Sequence, residues 1–239
     1  MALRDVLLND VTVISNFGNG VDADRDVAIN VGQVCNNTGE QIVAGGTIDL
    51  TLVSLGCSPL VTNSLDSGLG SLRDALLVGG EISFDMNALG PGPHTINLVS
   101  ELFIVQDTTI LGPGTEVVSI SGGASTRLFS ISEPNGDIDV EIRSLTLQDG
   151  NANGDDGGAI ANEEATLTLR DVVLTGNAAE QGGAIYSVGQ SDGDDDGGEY
   201  GGGGAYRLTI LDSAIANSTA SQGGAVWASG GLEIERTTF

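Results

Sequence analysis

The sequence predicts an all-β chain: a right-handed parallel β-helix (a solenoid) with an N-terminal capping helix, preceded by a small β-rich segment. Three observations predict it. The tetrapeptide GGAI stands at Gly157–Ile160 and Gly182–Ile185, and GGAV stands at Gly223–Val226. From Glu81 onward, short alternating apolar runs follow one another with turns between them and no helical segments, unlike a doubly wound fold. Glycine is abundant at 37 copies and aromatics are scarce at 4%, which suits tight bends and closely stacked backbones. A spaced repeat of this kind marks stacked units, each covering its neighbour's apolar face.

Residues 1–58 carry candidate strands at Val11–Ile14, Val27–Val31 and Thr47–Val53 but no GGAI copy. They read either as a small separate β-domain or as irregular coils over the first rung. Residues 59–80 form the capping segment. Ser71 is placed to cap a helix whose apolar stripe is Leu72, Ala75 and Leu76, ending at Gly79-Gly80. A first coil exposes an unpaired apolar face, and an amphipathic helix covers it.

Residues 81–239 form the solenoid, with runs such as Ile82–Phe84, Thr108–Leu111, Val117–Ile120, Ile138–Ile142, Thr166–Leu169 and Leu208–Leu211. Leu167–Asp171 aligns with Leu208–Asp212. The first two GGAI copies lie 25 residues apart and the next two 41 apart. The excess corresponds to an acidic, glycine-rich insertion at about 190–205, which a solenoid tolerates at a corner. Phe239 falls in register with Leu174, so the last coil is cut in mid-course. In Gly157-Gly158, Gly182-Gly183 and Gly223-Gly224, paired glycines let the chain turn a corner against the next coil. Asn177 and Asn217 are expected to stack as an amide ladder.

The composition restricts function. With 33 acids, 8 arginines and no lysine, the net charge is −25. Such a surface repels nucleic acid and anionic lipid, favours cations, and is the kind found in secreted proteins of salty surroundings. No apolar run approaches membrane-spanning length, so direct membrane insertion is not expected. The opening MALRDVLLND lacks the features of a signal peptide, which is expected to be already removed or to lie on a longer chain. Cys35 and Cys57 are the only cysteines and are expected to close one loop by a disulfide, hence an oxidising, extracellular or cell-surface location.

GGAI followed by a Phe-x-x-Asn-like element resembles the repeats of polymorphic outer-membrane proteins, within the secreted bacterial and archaeal parallel β-helix proteins. Gly157–Ile160, Gly182–Ile185 and Gly223–Val226 carry the first half; Leu174–Asn177 and Ala214–Asn217 are degenerate forms of the second. Val61–Leu76 resembles that group's N-terminal cap, and Ile82–Asp85 and Ile110–Gly114 its first coils. The resemblance covers residues 60–239 and implies a surface protein or adhesin.

Chemistry is sparsely indicated. Asp192, Asp194 and Asp196 alternate and precede Gly197, as in the first half of an oxygen-ligand calcium loop, but Gly203 replaces the closing Glu; Glu199 is the alternative ligand. Asp149, Asn151 and Asn153 repeat the spacing, and Asp22, Asp24 and Asp26 repeat the alternation. Calcium is therefore the expected cofactor. Asp171 and Asp212, in register on neighbouring coils, have the separation of a glycosidase pair, yet sit where turn-forming Asp is common. His94, the only histidine, follows Pro91-Gly92-Pro93 and reads as a solvated turn residue. The expected function is a non-catalytic, extracellular structural or adhesive segment of a larger surface or fibre-forming protein. It would assemble head-to-tail with copies of itself or with the remainder of a longer chain, and meet a surface glycan or protein receptor. The alternative is a carbohydrate-active enzyme, a polysaccharide lyase or glycoside hydrolase on a β-helix, with Tyr186, Tyr206 and Trp227 as aromatic candidates.

Overall fold

Strands of three to five residues are too short to stand alone, and an alternating apolar face needs cover. Here each strand finds its partner one coil away. The structure is a computed structural model that describes residues 6–14, 21–23, 27–35, 42–44, 48–54, 59–132, 138–163, 165–189 and 207–239. The chain divides into two units, Met1–Pro59 and Leu60–Phe239.

The first unit contains β1 (Val6–Ile14), β2 (Val21–Ala23), β3 (Val27–Cys35), β4 (Ile42–Ala44) and β5 (Ile48–Ser54). β1, β3 and β5 pair in parallel, with Val6 beside Val27 and Val27 beside Ile48. β2 and β4 also pair in parallel, Val21 beside Ile42. Every one of these steps is 21 residues, so the unit is a regular parallel stack rather than a set of irregular coils. Cys35 ends β3; Cys57 lies outside the described residues, and the expected disulfide with it.

The second unit is a parallel β-helix of about six coils with three faces. It opens with β6 (Leu60–Val61) and α1 (Leu72–Leu76). Coil 1 holds β7 (Gly80–Phe84), the short α2 (Met86–Leu89), β8 (His94–Asn97) and β9 (Leu102–Ile104). Coil 2 holds β10 (Thr108–Leu111), β11 (Val118–Ser121) and β12 (Phe129–Ser132). β13 (Ile138–Gln148) and β14 (Ile160–Glu163) form coil 3; β15 (Ala165–Thr175) and β16 (Ile185–Val188) form coil 4. Coil 5 is β17 (Arg207–Leu211), β18 (Ala214–Ala216) and β19 (Val226–Ser229), and coil 6 begins with β20 (Gly231–Glu235). β13 and β15 each cover two faces, bending at Ser144 and Asp171, where φ is 51° and 52°.

Three files of side chains fill the interior. Face A stacks Ile82, Ile110, Ile142, Leu169, Ile210 and Ile234. Face B stacks Ile96, Ile120, Leu147, Leu174 and Ile215. Face C stacks Leu102, Phe129, Ile160, Ile185 and Val226. Most of these are fully buried, and each of those contributes roughly 1.5–3 kcal/mol of hydrophobic stabilisation. The burial ends at coil 6, where Leu232, Ile234 and Phe239 are 46, 39 and 66% exposed.

The lower end is closed by α1, whose Leu72, Ala75 and Leu76 join the same core. Ser71 caps it, accepting from Asp74 N–H at 3.1 Å, while Asp74 accepts from Gly70 N–H at 3.0 Å. Gln106 of the next coil donates to the Leu76 and Leu77 carbonyls, answering orphan acceptors at the helix end. Arg73 donates to the Ser100 and Glu101 carbonyls and to the Asp66 carboxylate, which also accepts from Val99 N–H. Burial pulls the Asp66 carboxyl upward, but the Arg73 guanidinium and the Val99 N–H outweigh it and hold the group below its ordinary value. Burial raises Asp74, against the Gly70 N–H bond that lowers it.

The three Gly-Gly-Ala bends superimpose along one edge. Gly157 N–H donates to the Gln181 carbonyl and Gly182 N–H to that of Gln222, both at 2.9 Å. The first glycine of each bend has φ between 57° and 68°, the left-handed region. The second glycine serves a different need. A Cβ on Gly158 would stand 2.3 Å from the Gly183 carbonyl oxygen, and one on Gly183 would stand 2.2 Å from that of Gly224. On Gly224 the nearest atom would be 3.9 Å away.

Replacing Gly183 with Ala therefore lowers stability by about 1–3 kcal/mol, whereas Gly224→Ala leaves it within about 0.5 kcal/mol, as thermal melting will register. The cap titrates with a defined sign. Asp66, held low, contributes stability above its unfolded pKa that is lost as pH falls through the folded one. Asp66→Asn should cost about 1 kcal/mol at pH 7, a figure reduced by partial solvent screening, and next to nothing at pH 2. Asp74, held high, behaves oppositely: its contribution is present in acid and fades as pH rises through the folded pKa. Asp74→Asn, which retains an acceptor for Gly70, should not destabilise at pH 7; urea titrations at the two pH values test both.

Candidate functional site

The corner between faces A and B is a file of single left-handed residues: Ser144, Asp171, Asp212 and Arg236, with φ from 48° to 52°. Asp171 and Asp212 lie in register, as expected. Their carboxylates are committed to the stack. Ser144 Oγ donates to Asp171 at 2.8 Å, and Arg236 binds Asp212 through Nε and Nη2. Arg236, with Arg170 beyond it, holds the Asp212 carboxyl below its ordinary value. Arg170 also lies 3.8 Å from Glu141, which pairs with Arg143, and Arg207 pairs with Glu233 at 3.0 Å. Each corner aspartate thus accepts hydrogen bonds from a neighbouring coil, Asp171 from a hydroxyl and Asp212 from a guanidinium.

The turn of Asp149, Asn151 and Asn153 lies at the corner between faces B and C. Asp149 and Asn153 have positive φ, at 52° and 55°. Asn151 Nδ2 donates to the Ala124 carbonyl at 3.1 Å and its Oδ1 accepts from Asn153 N–H at 2.8 Å. Asn153 Nδ2 donates to the Ser125 carbonyl at 2.8 Å. These amides stitch coil 3 to coil 2. Among the described residues, no three His, Cys, Asp or Glu side chains converge as metal ligands. The loop of Asp192, Asp194, Asp196 and Glu199 lies outside the described residues, as do Asp24, Asp26 and Tyr206; Asp22 stands in β2, beside Val43.

Asn177 and Asn217 do not form a ladder. Thr175 stands beside Ala216, which places Gly176 beside Asn217 and Asn177 beside Ser218. The degenerate match at Ala214–Asn217 is therefore one residue out of register with Leu174–Asn177. Asn177 is fully buried; its Oδ1 accepts from Gly150 N–H at 2.8 Å and its Nδ2 donates to the Leu147 carbonyl at 3.2 Å. Asn217 is exposed and occupies a left-handed corner position that Asn tolerates.

The same B/C corner holds a polar cavity of about 180 Å³, lined by Glu101, Thr126, Arg127, Asn151, Asn153 and Asp155. Three successive coils supply these residues. Arg127 is its fixed wall: Nη1 pairs with Glu101 at 2.8 Å, Nε donates to the Asp156 and Gly157 carbonyls, and Nη2 to that of Asp156. Sequence reasoning missed this cavity because Glu101, Arg127 and Asp155 are far apart along the chain. The available signal was the coil period, which sets Arg127 26 residues after Glu101 and on the adjacent rung.

On the outer side of face C, Tyr186 and Trp227 stack with ring centroids 4.7 Å apart and planes 16° apart. They are rung neighbours, as their positions after the glycine bends imply. Burial, then the Asp156 and Glu163 carboxylates, raise the Tyr186 phenol. His94 is not the solvated turn residue expected: it opens β8 beside Val118, is half-buried, and its Nε2 lies 3.1 Å from the Gly90 carbonyl. Comparison with family models, with curated proteins and with solved structures gives no match.

Asn177→Ala should cost about 2–3 kcal/mol, since it strands a buried N–H and a carbonyl, while Asn217→Gly should be close to neutral. Chemical denaturation of the two variants beside the parent chain measures the difference.

Proposed function

We propose that this chain is a non-catalytic structural and adhesive segment of an extracellular or cell-surface protein, a rod that holds acidic loops and a recognition surface at fixed spacing. The observation that carries this reading is the commitment of Asp171 and Asp212, an in-register acidic pair on neighbouring coils, to Ser144 and Arg236. The resemblance of the glycine bends to polymorphic outer-membrane-protein repeats supports the same assignment, as does the absence of lysine with a net charge of −25. The exposed inward row Leu232, Ile234 and Phe239 is competent to receive a further coil, supplied by a second copy or by another part of a longer chain. Calcium is the cofactor this reading adds, through the Asp192–Asp196 loop.

Incubation with uronate polymers and neutral polysaccharides should release no unsaturated or reducing ends; steady release of either would replace this reading with the enzyme. Screening of the acidic surface should raise the melting temperature by roughly 5 °C between low and molar sodium chloride. Where copies stack end to end, Ile234→Asp should abolish the concentration-dependent species seen by light scattering.

A further inference from the structure

Four ligand chemistries compete for the cavity at the B/C corner, and its lining separates them. A metal cation requires several convergent hard oxygens, yet the Arg127 guanidinium forms one wall and only Glu101 and Asp155 are carboxylates. An anion meets both carboxylates with a single arginine already paired to Glu101. An apolar ligand finds only the Ala152 methyl among polar groups. A neutral polyhydroxylated ring satisfies the set. The Asp155 carboxylate, the Thr126 hydroxyl and the Asn153 carbonyl take no bond from the described residues, and Glu101 uses one oxygen for Arg127. The open groups on the wall are thus chiefly acceptors, which the hydroxyls of such a ring meet as donors.

The wall is also preorganised. Arg127 is clamped by two backbone carbonyls, and Asn151 and Asn153 by one each from the coil below. Binding therefore orders few side chains. A volume near 180 Å³ holds about six waters, the scale of one sugar ring rather than a chain. Beyond the cavity the backbone runs through Asp156 into the first glycine bend. Asp156 Oδ1 accepts from Gln181 N–H at 3.0 Å on the next coil, which leads to the Tyr186–Trp227 stack. The two half-buried, near-parallel rings keep apolar surface outside their mutual contact, to which an adjoining sugar ring can pack.

We infer that the cavity formed by Glu101, Thr126, Arg127, Asn151, Asn153 and Asp155 binds one ring of a neutral saccharide, with the Tyr186–Trp227 stack flanking it for an adjoining ring. This deepens the adhesive reading and rests on it: the saccharide is held, not cleaved.

The test uses the full chain and two probes, methyl hexosides and short neutral oligosaccharides. In amide-resolved NMR titrations, a methyl hexoside should shift the side-chain signals of Asn151 and Asn153. A matching oligosaccharide should in addition change the emission of Trp227, the only tryptophan. Asp155→Ala, at an exposed position, should weaken binding about tenfold with an unchanged melting temperature. No shift with any neutral sugar at tens of millimolar overturns the inference. So does equal affinity in Asp155→Ala, or a shift of the same amides by calcium chloride or inorganic phosphate at lower concentration. Hydrolysis of the oligosaccharide would overturn instead the non-catalytic reading beneath it.

Discussion

Backbone-to-backbone contact between successive coils at the glycine bends is the constraint on which the rest depends. The carbonyl of one bend occupies the space where a side chain of the bend below would begin. Gly158 and Gly183 leave that space empty, so the coils close to hydrogen-bonding distance along the whole edge. Once that edge is fixed, the register of all three faces follows, and the interior files of Ile and Leu meet one above another. The same spacing brings residues about one coil apart in sequence together on the outside, and so builds both the corner ion pairs and the polar cavity.

Electrostatics imposes a second condition. A chain with four times as many acids as bases repels itself on compaction. Five of the six described arginines counter this between coils, and Arg143 pairs within its own strand. Arg73 ties the cap to coil 1, Arg127 joins coils 1, 2 and 3, and Arg170, Arg207 and Arg236 bridge coils 3 to 6. Several of these contacts go to carbonyl oxygens as well as carboxylates, a use for which the forked guanidinium is better suited than an ammonium. Bases in this molecule serve cohesion first.

Much of the fold was legible in the residues. The GGAI spacing announced the stacked edge, Ser71 and the Leu72/Ala75/Leu76 stripe announced the cap, and the pairing of Leu167 with Leu208 was readable by eye. Other features were hidden for physical reasons. The 21-residue step of Val6, Val27 and Ile48 carries no glycine signature, only apolar alternation, which many short strands share. The expected asparagine ladder failed because Asn217 and Asn177 look equivalent in a loose motif while the actual pairing, Leu174 with Ile215, shifts them by one. The spacing of Asn151 and Asn153 announced a turn but not that their amides also bond to the coil below. The cavity needed three coils to be superimposed before its members became neighbours.

The chain leaves face C at Gly189 and re-enters face A at Arg207, while Leu167 still sits beside Leu208 as squarely as Ile138 sits beside Ala165. One rung consumes 41 residues and another 27, with no change in pairing above or below. Rod length in this architecture is therefore counted in rungs, not residues, and the C-to-A corner behaves as a port through which foreign sequence can be spliced without disturbing the scaffold's metre. Lineages or engineers wishing to vary what the rod presents have a place to do so that the interior does not sense.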